Sequence, residues 1–128
     1  MGLALRMAGL RPADIGYVNA HGTATPKGDL AEALAMHAVF GEDQPPTSST
    51  KGATGHMMGA GGITELIACI RALETGLLPP NLGLTKQDPA CDLRLVTPGR
   101  QEVPIAAAMT NAFGFGGQNS SIILGRVP

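Results

Sequence analysis

Twice in this chain an apolar, strand-like run ends at a histidine beside a glycine and gives way to a helical pattern. Ile15 to Asn19 leads to His21-Gly22, and QPPTSST leads through KGATGH to His56. That alternation constrains the fold more than any other feature. Strand periodicity followed by helix periodicity, repeated, calls for layered α/β architecture, and open α/β sheets place chemistry at the carboxyl ends of their strands. The neighbouring glycines let the backbone turn sharply or approach a ligand closely. Of 128 residues, 44% are hydrophobic and 15% charged, which suits one packed unit over 1–128 and argues against a disordered chain.

The remaining elements follow from local signals. Leu3 to Leu10 is a short helical pattern closed by Gly9, and RPAD at Arg11 to Asp14 is turn chemistry ahead of the first strand. Thr25-Pro26 reads as an N-cap with proline in the first turn of a helix running to Val39, which Gly41 stops. The glycine-rich run before Gly59 opens a helix to Thr75, with Ile63, Leu66, Ile67, Ile70 and Leu73 at helical spacing and Gly76 as its stop. LLPPNLGLTKQDPACDL is irregular, Leu93 to Val96 is a short strand, and Ile105 to Asn111 and Ser120 to Leu124 are β segments joined by FGFGGQ. Runs such as IAAAM and SIIL lack polar alternation, so a mixed sheet covered by helices on both faces is expected.

Charge and composition exclude several classes. A formal net charge of -1 without a Lys or Arg cluster gives no footprint for nucleic acid or an anionic membrane. Arg6 and Arg11 break the apolar stretches at the N-terminus, no run approaches a membrane span, and a cytoplasmic protein is expected. Cys69 and Cys91 then read as free thiols of a reducing compartment.

The histidines carry the chemistry. A single His-Gly pair is most simply a buried histidine satisfying a turn. Two in matched settings point further, because neutral imidazoles converging on one oxygen stabilise negative charge developing on a carbonyl. Zinc lacks ligands: His37 is the third histidine and has no partner at ligand spacing. GAGG and GFGG fit neither GxGxxG nor a P-loop. Lys51, Glu65, Asp29 and Glu32 flank the histidines and are expected to form an ion-pair network behind them. The turn Phe113-Gly114-Phe115-Gly116-Gly117 is either an oxyanion hole or gate, or a tight β-connection with two core phenylalanines.

Taken together, HGTATPKGDLAE, SSTKGATGHMMGAGGITE and NAFGFGGQNSSIIL, in this order, resemble the C-terminal half of the β-ketoacyl-acyl carrier protein synthases, and DPACDL resembles that family's pre-strand loop. The resemblance spans essentially the whole chain. It implies one half of a thiolase-like, five-layered α/β/α/β/α fold that dimerises, and decarboxylative Claisen condensation of an acyl thioester with malonyl-acyl carrier protein in fatty acid or polyketide biosynthesis. His21 and His56 are then the catalytic histidines, Lys51 and Glu65 their supporting pair, and Phe115 the gate whose backbone N–H contributes to the oxyanion hole. No cofactor is implied, since substrates arrive on the phosphopantetheine arm of acyl carrier protein. The family's nucleophilic cysteine belongs to the N-terminal half, so this chain is expected to need that half as a partner and to be inactive alone. Gln118 and Ala24 stand at positions that vary within the family. A non-catalytic subunit comparable to a chain-length factor, or an inactive truncated fragment, are the alternative expectations.

Overall fold

The computed structural model describes residues 1–99 and 101–126; Arg100, Val127 and Pro128 of the expected unit lie outside the described residues. Along the described residues, helices and strands alternate as far as the second strand, after which two helices precede two strands. The order is α1 (Gly2–Ala8), β1 (Tyr17–Asn19), α2 (Pro26–Phe40), β2 (Thr47–Ser48), α3 (Lys51–Thr54), α4 (Gly61–Thr75), β3 (Ala107–Phe113) and β4 (Asn119–Gly125). Gly9 ends α1 in a left-handed conformation at φ 66, as its lack of a Cβ permits. Thr25 and Pro26 start α2 as expected, but the Thr25 hydroxyl pairs with Thr23 Oγ1 at 3.2 Å and caps no backbone N–H.

The sheet runs β2-β1-β3-β4, with β1 parallel to both β2 and β3, and β4 antiparallel to β3. Beyond β2, the expected strand Leu93 to Val96 shrinks to one parallel bridge between Leu95 and Thr47, held by Thr47 N–H on the Arg94 carbonyl and Val96 N–H on the Thr47 carbonyl. The sheet is mixed; β1, β2 and most of β3 are buried as expected, whereas β4, with its SIIL run, is not, Ile122 being 43% exposed. Tyr17 and Ala108 pack on one face with Cys69, Ala72 and Leu73 of α4, while Val18, Ala107 and Met109 pack on the other with Leu5, Met36 and Phe40 of α1 and α2. Alternation along β1 and β3 sends successive side chains into the two cores.

One helix behaves differently from its sequence pattern. Along α4 the buried positions are Gly61, Glu65, Cys69, Ala72 and Leu73, whereas Ile63 and Ile67 remain more than half exposed, at 59% and 53%. Small side chains let the helix lie close to the sheet, and the isoleucine stripe consequently points away from it. Leu73 alone of the five apolar positions enters the core of this chain.

Candidate active site

Parallel strands β2, β1 and β3 end together: Asn19 lies opposite both Ser48 and Thr110. The connection from β1 to β2 carries α2 over one face, and that from β2 to β3 carries α4 over the other. Adjacent strands whose connections diverge in this way open a crevice at their carboxyl ends. His21, two residues past β1, enters it. Its ring centroid lies 5.6 Å from that of His56 in an edge-to-face arrangement (87°) and 5.5 Å from that of Phe113, the last residue of β3.

Each histidine is held from behind. The N–H groups of His21 and Gly22 donate to Glu32 Oε1 and Oε2 at 3.0 and 2.9 Å. Asn111 Nδ2 donates to Glu32 Oε1 at 3.1 Å, and Ser121 Oγ donates to Asn111 Oδ1 at 2.8 Å. Burial raises the Glu32 carboxyl above its ordinary range, and these three donors oppose that rise. For His56, the Met58 N–H donates to Nδ1 at 3.2 Å. The neutral ring therefore carries its proton on Nε2, which becomes the donor available to a ligand. Met58 itself adopts φ 51, a left-handed conformation that costs about 1–2 kcal/mol for a residue with a Cβ.

Lys51 opens α3 and its Nζ pairs with Glu65 Oε1 of α4, both side chains lying under 10% exposed, at 8% and 4%. A buried pair of this kind fixes the two elements relative to each other, because losing either partner strands a charge. Its electrostatic effect reaches His21. Burial first, and the Lys51 charge second, lower the His21 pKa below the ordinary imidazole value, so the ring stays neutral into mildly acidic solution.

The expected four-membered ion-pair network is not formed. Only Lys51 and Glu65 join as ions; Glu32 is occupied by N–H donors, and Asp29 makes no ion pair among the described residues. The reason is geometric, since Glu32 lies on α2 against the sheet face opposite α4. The tight connection after β3 is present, with Gly116 and Gly117 at φ 78 and 81 and Gly114 N–H on the Gln118 carbonyl at 2.7 Å. Phe115 at its tip is fully exposed, which removes it from the core, and the ring that meets His21 is that of Phe113.

Neither cysteine is built as a nucleophile. Cys69 lies buried within α4, its Sγ 3.7 Å from the Met109 carbonyl, and burial pushes its thiol up to about 12. Burial also raises Cys91. Both are protonated at neutral pH. His37 is engaged elsewhere, its Nε2 paired with the Asp92 carbonyl. A cleft of about 470 Å³ lies behind the His21 turn, between the start of α2 and the 81–95 loop, and its walls include Gly22, Ser49 and Asn81 but neither ring of the histidine pair.

Both histidines, Lys51 and Glu65 are marked by sequence motifs, whereas the amide of Asn111 behind Glu32 and the Phe113 ring beside His21 are not. Asn111 carries a signal in retrospect, as a polar residue inside the apolar run AAAMTNAF.

A mixed sheet with helices on its faces is the architecture this chain shares with the thiolase-like ketosynthases. Residues 1–85 match the model of the family described as "Beta-ketoacyl synthase, C-terminal domain", and the chain belongs to that family. It is 42% identical over 126 residues to 3-oxoacyl-[acyl-carrier-protein] synthase 2 of Coxiella burnetii, an alignment covering 97% of this chain and 30% of that protein. Among solved structures, the ishigamide ketosynthase/chain length factor superposes with a TM-score of 0.96 at 35% identity, covering 99% of this chain and 32% of the matched one. A type II PKS acyl-carrier protein in complex with its ketosynthase bound to the hexaketide gives a TM-score of 0.93 at 31% identity, over 98% and 31%. The chain thus spans about a third of the length of the relatives it matches. Among the described residues, no helix is long and apolar enough to cross a membrane.

Proposed function

We propose that this chain supplies the decarboxylating part of a β-ketoacyl-acyl carrier protein synthase site, for condensation of an acyl thioester with malonyl-acyl carrier protein in fatty acid or polyketide biosynthesis. The observation that carries the reading is the edge-to-face pair His21–His56, with the His56 proton directed to Nε2 by the Met58 N–H. Loss of CO2 from a malonyl thioester leaves an enolate whose charge sits on the thioester oxygen. Two neutral imidazole donors at that oxygen stabilise the charge as it develops. The enolate carbon then attacks an acyl group held as a thioester on a cysteine, expelling the thiolate and leaving a 3-oxoacyl chain on the carrier.

Lys51 and Glu65 serve as supports that keep α3 and α4 in place, and the Phe115 N–H is the proposed donor to the acyl carbonyl oxygen. The cysteine nucleophile is assigned to an N-terminal ketosynthase half, since Cys69 and Cys91 are held as thiols. That half is also the proposed cover for the α4 isoleucines, in an enzyme that works as a homodimer in the cytoplasm. Its substrates come on the phosphopantetheine arm of acyl carrier protein, with no further cofactor. A tunnel-shaping subunit needs neither a fixed His56 tautomer nor a buried Lys51–Glu65 pair, which favours the enzyme over that alternative.

The test is assembly. Co-expression with the N-terminal ketosynthase half of a relative, followed by mass spectrometry of malonyl- and acyl-carrier protein mixtures, is expected to yield 3-oxoacyl-carrier protein, and this chain alone to yield none. A stable assembled complex that bound both substrates and made no product would overturn the reading.

A further inference from the structure

The 77–96 segment has no part in the chemistry above, yet it reaches the site through a single side chain. Asn81 makes three side-chain hydrogen bonds. Its Nδ2 donates to the carbonyls of Thr47 and Val96, each at 3.1 Å, and its Oδ1 accepts from Ser49 N–H at 2.9 Å. Its own N–H adds a bond to the Val96 carbonyl at 2.9 Å. Ser49 continues the path: its Oγ donates to the Gly22 carbonyl at 3.2 Å and accepts from Lys51 N–H at 3.4 Å. The one residue thus touches both the turn that carries His21 and the first residue of the helix that carries Lys51.

Two close approaches show how little slack this junction has. A Cβ on Gly22 would lie 2.7 Å from Ser49 Cβ, and one on Gly52 would lie 2.4 Å from the Leu82 carbonyl oxygen. At such distances a shift of the 81–83 backbone is passed to α3, and a shift of Ser49 is passed to Gly22.

We propose that Asn81 is a positioning residue for the candidate active site: through Ser49 it sets where the His21-Gly22 turn and the start of α3 stand relative to each other. An amide is the group this task needs, because the position must donate to two carbonyls and accept from one N–H at once. Aspartate would keep the acceptor and set a charge against two carbonyl oxygens. What His21 then does rests on the function proposed above, but the placement of His21 can be read without catalysis.

The groups facing His21 are Lys51, Glu65, His56 and Asp29, with Glu32 at its backbone N–H, and the test leaves all of them in place. The whole chain is treated with diethyl pyrocarbonate, which modifies neutral imidazole, across a pH series, and peptide mass spectrometry gives the rate at His21 against a histidine-containing peptide added as reference. Asn81→Ala and Ser49→Ala are each expected to make His21 react several-fold faster and to move its titration midpoint up toward the ordinary imidazole value. Gln87→Ala removes two hydrogen bonds within the same loop, at 2.8 and 2.9 Å to the Cys91 and Leu93 carbonyls, and is expected to lower the melting temperature while leaving His21 unchanged. Unaltered His21 rates and midpoint in Ser49→Ala, or an equal change in Gln87→Ala, would overturn the proposal. Should Asn81→Ala fail to fold, Ser49→Ala and Asn81→Asp decide it. A failed condensation assay in the assembled enzyme would count against the function and leave the labelling result standing.

Discussion

His21 and His56 sit in different surroundings, and the difference has a measurable sign. His21 is partly buried beside Lys51, and its pKa lies below the ordinary imidazole value of about 6.5. As pH falls through the window below that value, the unfolded chain takes up the proton before the folded one does, so folding stability drops on acidification. Melting temperatures followed across that window are expected to fall less steeply in His21→Gln than in the wild type. Glu32 is tested by Glu32→Gln, which keeps the shape but turns an amide toward the N–H of His21 or Gly22. A donor left facing a donor costs about 1–3 kcal/mol, read as a lower denaturant midpoint.

At the scale of elements, α4 separates what the sequence made legible from what it did not. Its extent followed from Gly59, Gly76 and the apolar spacing, but the spacing could not say which face meets the sheet. The face chosen is Gly61, Glu65, Cys69 and Ala72, because close approach and the reach of Glu65 to Lys51 outweigh burial of isoleucine. Ala72→Leu is therefore expected to destabilise the chain by about 1–3 kcal/mol through overpacking, measured by chemical denaturation. Measured at a dilution where the chain is monomeric, Ile67→Lys is expected to change it by less than about 0.5 kcal/mol, since that side chain is 53% exposed. The opposite outcome in both would place the isoleucines in the core. Two further elements escaped the sequence for local reasons. Helix α3 is one turn long and too short for any periodicity, and the Leu93 to Val96 strand reduces to one bridge because the loop beside it is anchored by Asn81 instead of a ladder. The histidines were legible because each stands beside a glycine, His21 just past β1 and His56 just past α3, which intervenes where the sequence suggested a direct strand-to-helix step; Asn81 and Ser49 were not, because their partners are distant backbone atoms that no motif records.

For the whole molecule, the exposed stripe of Ile63, Ile67 and Ile70 and the third of the relatives' length that this chain spans point the same way. Contiguous exposed isoleucines favour association. Light scattering is expected to find this chain dimeric or aggregated on its own and to find Ile63→Lys/Ile67→Lys less so; a monodisperse wild-type monomer would argue against a half-domain. The role of the histidine pair is read from CO2 release from malonyl-acyl carrier protein by the complex assembled with an N-terminal ketosynthase half, comparing wild type with His21→Ala and His56→Ala. Each substitution is expected to slow release by about 10²–10³-fold, the usual loss of one oxyanion donor, with the complex still assembled. Release at the wild-type rate in both variants would show that neither histidine acts in decarboxylation.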